Sequence, residues 1–344
     1  MNGYRRIMNV LEGKETDRVP MMLHNFMFAA KEQGMSMKEF RSRPENMART
    51  FVDSAIKYGL DGIFTDVDTA LEAHAMGALV DFPEDEPARV IGPSGRDFDE
   101  VISRVDPGRL MSDERIQVYL EAVRLIKKQV GGEIFLRGNA DQGPYSLAML
   151  VYGMEDFLAD LLDEERQEDI LKLINRCYDV HFIFHSLMAQ AGADATSFGD
   201  SSCGPDLISP GMYRTFAQPF HKRLSKELGE KGIKCICHIC GNLDAILTDV
   251  AETGFAGIEV DYKTDKQKAR DVLKGKSVMF GPIDPSGVFH FGTPEMVRKE
   301  TGEVINTFKD GGLVIGAGCA LPPHTPPENI RAFVETVLHY RIQK

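Results

Sequence analysis

Long apolar runs are missing from this sequence of 344 residues. No stretch approaches the roughly 18 apolar residues that a membrane-spanning helix needs. The basic N-terminal residues are not followed by the apolar segment of a secretory signal. Because 43% of the residues are hydrophobic and 27% are charged, the chain has enough apolar side chains for a large core. We therefore expect a cytoplasmic globular protein that does not act at a membrane.

An excess of basic residues is also missing. Lys and Arg number 40 against 52 Asp and Glu, which gives a formal net charge of -12. The basic residues are spread along the chain, and this balance argues against nucleic acids or anionic membranes as partners. The six cysteines do not indicate a disulfide framework in a chain of this length and class. Metal binding or core packing is the expected role of those in two apolar runs, namely Cys235, Cys237, Cys240 and Cys319.

Linker-like and low-complexity stretches are absent, so the sequence predicts one domain over residues 1–344. Short β-like apolar runs alternate with amphipathic segments. We predict eight strands, at residues 19–24, 62–66, 134–140, 195–200, 234–240, 257–261, 277–284 and 313–319. Helices are predicted between them, among them 111–130, 163–190, 211–228, 265–273 and 294–309, and helix-start signals stand at Ser209-Pro210, Thr293-Pro294 and Thr325-Pro326.

Apolar strands that alternate with helices predict a parallel sheet buried on both faces, and eight such strands favour a closed (β/α)8 barrel. The alternative is an open doubly wound sheet, which would normally carry a Gly-rich phosphate loop after an early strand. That loop is absent. Polar or metal-binding side chains end nearly every predicted strand, where barrel enzymes place their active sites: His24, Asp66, Asp200, Cys240, Asp261, Asp284 and Cys319.

The tripeptide His238-Ile239-Cys240 is the most informative local motif. Residues two apart on a strand face the same side, so His238 and Cys240 project together. Cys235 and Cys237 then face the opposite side, where we expect them to pack against helices as small apolar residues.

Cys319 ends the last predicted strand, and Gly316 and Gly318 before it permit a close backbone approach. The fifth and eighth strands open onto the same end of the barrel, so one metal ion can be reached by His238, Cys240 and Cys319. One imidazole and two thiolates suit zinc and leave its fourth position for a substrate. Spacing alone leaves a second interpretation open, in which a buried histidine simply packs beside core cysteines.

Several separated motifs resemble those of the uroporphyrinogen decarboxylase superfamily over essentially the whole chain. They are Asp17-Arg18-Val19-Pro20, Gly62-Ile63-Phe64-Thr65-Asp66, Pro205-Asp206-Leu207-Ile208-Ser209-Pro210, Gly281-Pro282-Ile283-Asp284-Pro285, Leu321-Pro322-Pro323 and Thr325-Pro326-Pro327-Glu328-Asn329. The resemblance implies a (β/α)8 barrel, in agreement with the strand count.

Two branches of that superfamily differ in their chemistry. The decarboxylases carry arginines just after the opening motif to hold substrate carboxylates, but residues 21–30 contain no arginine here. The decarboxylase tyrosine falls at Leu150 and the late histidine at Gly318. The other branch comprises zinc-dependent corrinoid methyltransferases of the methylcobamide:coenzyme M type. Their His-x-Cys…Cys motif is matched by His238, Cys240 and Cys319.

The resemblance therefore implies a thiol substrate that binds zinc, loses its proton and takes a methyl group from a methyl-Co(III) corrinoid. The expected cofactors are Zn²⁺ and a corrinoid carried by a separate protein. The nearest match to a corrinoid-binding motif, Asp179-Val180-His181, lacks the glycine and lies in a helix-like stretch. We expect that partner protein to dock transiently at the barrel mouth, where Met21, Met22 and Met27 are candidates for contact with its cofactor.

Asp66 and Asp200 are the candidate catalytic residues, and the substrate pocket is predicted to include His24, Asn139, Cys203, Asp261 and Asp284. Asp66 either positions substrate or stays solvated at the cleft. Asp200 is expected to hydrogen-bond a zinc ligand or to occupy the open zinc position. Cys203 is a candidate for the same position or for loop packing. Asp261 and Asp284 line the pocket or cap the following helices.

Three functions stay in view at this point. The favoured function is a zinc methyltransferase that moves a methyl group between a corrinoid protein and a small molecule, which is a thiol such as coenzyme M or a methoxy or methylamine compound with the flow reversed. The second is a decarboxylase-like lyase acting on a tetrapyrrole. The third is a binding protein with a structural zinc held by four protein ligands.

Overall fold

Eight parallel strands form a single sheet in the computed structural model, which describes residues 1–340. The strands are β1 (Met22–Leu23), β2 (Gly62–Thr65), β5 (Phe135–Gln142), β6 (Ala195–Gly199), β7 (Cys235–Ile239), β8 (Gly257–Val260), β9 (Val278–Ile283) and β10 (Leu313–Ala317). Each pairs in parallel with the next strand in this order. A bridge between Met21 and Ile315 joins the last strand to the first and closes the barrel.

The helices lie between these strands along the chain. They are α1 (Gly3–Leu11), α2 (Phe26–Glu32), α3 (Met37–Ser42), α4 (Pro44–Tyr58), α5 (Leu71–Ala75), α6 (Phe98–Arg104), α7 (Gly108–Ser112), α8 (Glu114–Val130), α9 (Pro144–Tyr152), α10 (Met154–Leu162), α11 (Gln167–Gln190), α12 (Pro210–Phe216), α13 (Gln218–Glu230), α14 (Leu247–Ala251), α15 (Lys266–Leu273), α16 (Pro294–Thr307) and α17 (Pro327–His339). A 3₁₀ turn covers Ser201–Cys203 and a π-helical turn covers Pro285–His290. Within residues 1–340 no helix combines the length and apolar character needed to span a membrane.

The predicted (β/α)8 barrel is confirmed, and all eight predicted strands are present with ends one to three residues shorter in most cases. Two predicted helices are broken in the structure. The segment 111–130 divides at Asp113, whose side chain accepts a hydrogen bond from the Ile116 amide and caps α8. The segment 211–228 divides at Ala217, because Pro219 in the first turn of α13 has no amide hydrogen with which to continue α12.

A small antiparallel hairpin, β3 (Leu79–Asp81) and β4 (Arg89–Gly92), was not predicted. It lies in the long connection that follows β2. Three of its seven residues are exposed and the other four are only partly buried, so its sequence lacks the continuous apolar pattern by which the barrel strands were found.

Two apolar cores flank the sheet. The inner core fills the barrel and includes Phe64, Phe135 and Ile236, and residues Ile7 and Val10 of α1 pack into the same cluster. The outer core lies between the sheet and the helices. Because α1 precedes β1 and packs against this inner core, it fills the end of the barrel where the strands begin. The opposite end, with the loops that follow the strands, is called the mouth below.

Barrel closure gives a test of the fold. A Cβ atom added at Gly316 would lie 2.0 Å from the carbonyl oxygen of Met22 on β1, so Gly316→Ala forces the two strands apart. We expect a loss of about 1–3 kcal/mol or more in unfolding free energy, measured by urea denaturation. The control is Gly229→Ala on α13, where a Cβ meets no atom within 4 Å and where alanine gains up to about 1 kcal/mol. Equal stability of the two variants would contradict this account of closure.

Candidate metal centre

Three potential metal ligands converge at the mouth. His238 lies on β7, Cys240 follows that strand directly, and Cys319 follows β10 by two residues. Their ligand atoms all lie within 4.8 Å of one another. His238 Nε2 is 2.9 Å from Cys240 Sγ, and the two sulfur atoms are 4.0 Å apart. All three side chains remain partly accessible, as a site that admits a substrate requires.

This donor set fits zinc. Two thiolates bound to a tetrahedral zinc stand roughly 3.8 Å apart, and an imidazole nitrogen and a thiolate stand roughly 3.5 Å apart. The observed sulfur separation already agrees with this geometry, and a small rotation of His238 widens its distance from Cys240. The chemical softness of the donor atoms also favours zinc, because thiolate and imidazole ligands together select zinc over magnesium or calcium.

The ring orientation of His238 leaves its Nε2 available to bind a metal ion. Its Nδ1 donates a hydrogen bond to the carbonyl oxygen of Glu259 on β8, at 3.2 Å, so Nε2 is the nitrogen that faces the sulfurs. The alternation expected along β7 is observed as well. Cys235 and Cys237 lie in the outer core with Ile239, whereas Ile236 lies in the inner core.

Before any metal binds, the protonation states of His238, Cys240 and Cys319 depend strongly on one another. A hydrogen bond from Cys319, together with the positive charge of His238, lowers the pKa of Cys240 far below that of an ordinary thiol. The same hydrogen bond and burial raise the pKa of Cys319. Burial acts to lower the pKa of His238, but the Cys240 thiolate outweighs it and raises that pKa to about 10. Binding a metal here therefore displaces protons from His238 and Cys319.

A second polar group lies at the mouth, where β1, β2 and β5 end. His24 Nε2 is 2.7 Å from Asp66 Oδ2, and Asn139 Nδ2 donates to the other oxygen of Asp66 at 3.0 Å. The structure thus brings together three residues that were predicted separately for the catalytic group and the substrate pocket. Asp66 fixes the orientation of both neighbours and is itself nearly buried.

Sequence reasoning missed a charged pair inside the barrel. Arg137 on β5 forms an ion pair with Glu259 on β8, and both side chains are almost completely buried. The guanidinium carbon lies 3.7 Å from the ring centre of Phe64. Burial acts to raise the pKa of Glu259, but the charge of Arg137 outweighs it and the pKa is lowered. The available signal was a charged residue inside each apolar strand, since such residues are buried only when paired.

Buried polar atoms without hydrogen-bond partners lie in the same barrel interior. Arg137 Nε, Asn139 Oδ1 and Ser197 Oγ are buried and make no hydrogen bond among the described residues. Arg137 and Asn139 share the inner face of β5, and Ser197 is the register partner of Asn139 on β6. A cavity inside the barrel is lined by Arg137, Glu259, His24 and apolar residues of β1, β2, β9 and β10. Unsatisfied buried polar atoms of this kind are expected where a polar ligand or water binds.

Asp200 and Cys203 are not brought to the metal ligands, which corrects their predicted role in the fourth zinc position. Asp200 is fully buried; its Oδ1 accepts from the Ser146 amide, and its Oδ2 lies 2.9 Å from His221 Nε2. Cys203 is fully buried in the outer core, with its thiol donating to the Asp200 carbonyl. The physical reason is that the chain turns outward directly after β6.

The remaining predicted site residues divide in the same way. Asp261 accepts from the Gly241 amide at 2.8 Å, and Asp284 accepts from two amides of the π-helical turn, so both stabilise loops at the mouth. Met21 and Met22 do not fit the predicted contact with a docked cofactor. Met21 packs in the outer core and Met22 packs in the inner core. Met27 on α2 is partly buried against the outer core.

A (β/α)8 barrel with an imidazole and two thiols at its mouth has groups that could hold a metal where barrel enzymes place their active sites. The model of the family described as "Uroporphyrinogen decarboxylase (URO-D)" matches residues 3–340. The chain is therefore an enzyme of the uroporphyrinogen decarboxylase family, and the family resemblance seen in the motifs is confirmed.

Similar proteins carry two kinds of name. A methylcobamide:CoM methyltransferase MtaA of Methanosarcina barkeri is 26% identical over 337 residues, covering 96% of this chain and 95% of the relative. A uroporphyrinogen decarboxylase of Syntrophotalea carbinolica is 27% identical over 305 residues, covering 87% and 85%. A solved methyltransferase structure from Methanosarcina mazei superposes with a TM-score of 0.90 at 24% identity, over 99% of both chains; this likeness supports the fold.

The lowered pKa of Cys240 gives a prediction for the protein after treatment with a metal chelator. A lowered pKa means that Cys240 is a thiolate below the usual thiol pKa of about 8.5, so iodoacetamide should alkylate it near pH 6. Cys235 and Cys237 should stay unmodified, because they are buried and burial raises the pKa of both. Peptide mass spectrometry reads the sites, and zinc added beforehand should protect Cys240. Equal labelling of all three in the folded protein would contradict the assignment.

Proposed function

We propose that this enzyme is a zinc-dependent methyltransferase that transfers a methyl group from a protein-bound corrinoid to a small thiol. The observation that carries the proposal is the convergence of His238, Cys240 and Cys319 within 4.8 Å at an accessible mouth. Bound there, zinc would lower the pKa of a thiol at its open position and so supply a thiolate at neutral pH. In the net reaction a sulfur–carbon bond forms, the carbon–cobalt bond breaks with its electrons left on cobalt, and the thiol proton goes to solvent.

The protein's own residues contribute orientation and charge control. The Glu259 carbonyl holds His238 in the tautomer that presents Nε2 to the metal. Two thiolates from Cys240 and Cys319 would cancel the charge of a divalent ion, so that a substrate sulfur stays electron-rich. The pair of His24 and Asp66 stands at the same mouth, and we retain Asp66 as the residue that positions substrate.

The thiol is proposed to carry an anionic group. Relatives over nearly the whole chain are named for coenzyme M, a thiol with a sulfonate two carbons from its sulfur. Arg137 is a buried cation linked to His238 through Glu259, whose side chain pairs with Arg137 and whose backbone carbonyl accepts from His238. The free Nε of Arg137 gives it a donor with which to bind an anion.

A separate corrinoid protein is the proposed partner, as predicted. His181 of the nearest corrinoid-like motif is fully buried in α11 and lies 3.0 Å from His185, so it has no surface with which to reach a cobalt ion. The connections that follow the barrel strands carry exposed large apolar side chains, which are common on docking surfaces: Leu79, Ile91, Leu207, Tyr262 and Phe291.

A decarboxylase function is not supported by the site. The family's late histidine falls at Gly318, where a Cβ atom would lie 2.8 Å from the carbonyl oxygen of Val260. Any side chain at this position would therefore displace the backbone after β8.

The central test is Cys319→Ala. Loss of one of three ligands should remove most bound zinc and abolish methyl transfer, while circular dichroism shows the barrel still folded. Zinc is measured by mass spectrometry after dialysis, and transfer by the absorbance change from methyl-Co(III) to Co(I) with coenzyme M. The matched control is Cys237→Ala, which alters the outer core and should keep both zinc and activity.

Other outcomes separate the competing functions. Full activity of Cys319→Ala would remove the proposal, and release of carbon dioxide from uroporphyrinogen without zinc would replace it with the decarboxylase. X-ray absorption of the zinc protein distinguishes a structural metal, which would show four protein donors unchanged by added thiol. Methyl transfer seen only from a methoxy or methylamine compound to Co(I) would reverse the direction.

The anionic substrate group gives a separate prediction. Arg137→Lys keeps the charge but loses the planar array of donors, so KM for coenzyme M should rise on the order of tenfold, the effect of about 1.4 kcal/mol. KM for the neutral thiol 2-mercaptoethanol should change little. Parallel increases for both thiols would show that Arg137 supports the barrel without binding the substrate anion.

A further inference from the structure

A histidine and an aspartate form a hydrogen-bonded pair on the inner side of the barrel mouth. His24 directly follows β1 and Asp66 directly follows β2, and His24 Nε2 lies 2.7 Å from Asp66 Oδ2. The other oxygen of Asp66 accepts from Asn139 Nδ2 at 3.0 Å and from the Val67 amide at 2.8 Å. Because a carboxyl group ionises at lower pH than an imidazolium ion, the shared hydrogen belongs to His24 Nε2 and Asp66 accepts all three hydrogen bonds.

The second ring nitrogen of His24 is available as a base. Within residues 1–340 Nδ1 makes no hydrogen bond, and it is not one of the fully buried polar atoms that lack a partner. It therefore carries a lone pair and reaches accessible space. Packing holds the ring in place, with its centre 4.4 Å from that of Phe64 and 5.5 Å from that of Phe26. A buried aspartate that fixes one nitrogen and leaves the other free is the arrangement by which enzymes prepare a histidine to accept a proton.

The loop that carries Cys319 is fastened to His24. The amide of Leu321, two residues after Cys319, donates to the His24 carbonyl oxygen at 2.8 Å. The strands β1 and β10 are neighbours at the closure of the barrel, and His24 lines the same interior cavity as Ala317 at the end of β10. The pair of His24 and Asp66 therefore lies beside the metal ligands, on the inner side of the mouth.

The charges around His24 favour a proton on its ring. Asp66 faces it from the end of β2, and Arg137 of β5 and Glu259 of β8 line the same cavity, whose other lining residues are apolar. The rings packed against His24 from α2 and β2 are uncharged. Asp66 and Glu259 carry two negative charges against the one positive charge of Arg137, so protonation of His24 brings these four groups to a net charge of zero. Because unbalanced buried charge is costly, the interior favours a proton on His24.

We propose that His24, oriented by Asp66, is the base that accepts the proton of the substrate thiol. The inference rests on the proposed function, since it requires a thiol held at the metal centre. As the sulfur–hydrogen bond breaks, its electron pair stays on sulfur and the proton moves to His24 Nδ1, which forms an imidazolium ion paired with Asp66. The proton later passes to water, so the net reaction is unchanged. Asp66 thereby acts on the substrate through His24.

The donor set of the metal centre makes such a base useful. Two thiolates cancel the charge of a divalent ion, so the ion polarises a bound thiol less than it would with neutral ligands. A base at the same mouth supplies part of the missing driving force for loss of the proton. General bases typically contribute a factor of about 10²–10⁴ to a rate, so the loss of this one should be measurable while the metal is still bound.

Proton release on thiol binding tests the proposal. Coenzyme M is bound to the zinc-loaded enzyme at about pH 7, where a free thiol is protonated, and calorimetry in two buffers of different ionisation enthalpy gives the number of protons released. The wild type should release fewer than one proton per thiol, because His24 keeps part of it. His24→Gln cannot accept a proton and should release a whole one, and its methyl transfer should fall on the order of a hundredfold. That fall should shrink as the pH rises, because solvent then takes the proton more readily.

Three further measurements keep the test decisive. Asp66→Asn withdraws the orienting charge, should release more protons than the wild type, and also serves if His24→Gln does not fold. His74→Gln is the matched control, because His74 on α5 pairs with Asp113 at 2.9 Å but does not line the interior cavity; its proton release and activity should equal those of the wild type. Nitrogen NMR of the metal-free wild type, assigned with His24→Gln, should show the hydrogen of His24 on Nε2 and a lone pair on Nδ1.

The outcomes separate this inference from the proposed function. A wild-type enzyme that binds neither zinc nor coenzyme M would overturn the metal site, and this inference with it. Thiol binding and methyl transfer by the wild type with one whole proton released, as in His24→Gln, would overturn the role of His24 as a base and leave the proposed function standing. A rate loss in His24→Gln that is equal at every pH, with the proton count of the wild type, would likewise show that His24 only shapes the pocket.

Discussion

Closure of the sheet between β10 and β1 is the constraint on which the site depends. Cys240 and Cys319 are 79 residues apart in sequence, and they meet because two parallel strands end at the same side of one closed barrel. Closure in turn depends on Gly316, where a side chain would collide with the backbone of β1. The same closure directs His24, Asp66 and the paired interior charges toward a common space. An error in strand pairing would therefore separate His238 and Cys240 from Cys319.

The alternation of side chains along a strand made much of this arrangement predictable. It assigned His238 and Cys240 to one face and Cys237 to the other, and the eight apolar runs gave the barrel and the location of its mouth. These features depend on local geometry that every parallel strand shares. The grouping of His24, Asp66 and Asn139 follows from the same rule, because each lies at or near the mouth end of a neighbouring strand.

Loop conformation and pairing inside the barrel could not be predicted in this way. Asp200 ends a strand as Asp66 does, yet the turn after β6 carries its side chain outward to His221, which belongs to a helix that no periodicity relates to the strand. Arg137 and Glu259 lie on strands separated by β6 and β7, so only the closed barrel shows that they are partners. The hairpin of β3 and β4 likewise could not be predicted, because its strands are short and lack the continuous apolar run of the barrel strands.

The position of helix α1 affects the order in which molecules can reach the barrel interior. Its apolar residues fill the barrel where the strands begin, so within residues 1–340 the interior opens at the opposite end. A macromolecule seated over that entrance would cover the path that the small molecule uses. Under the proposed function, the two substrates would then have to arrive in a fixed sequence, with the small molecule first, and the methylated product could leave only after the larger partner had dissociated.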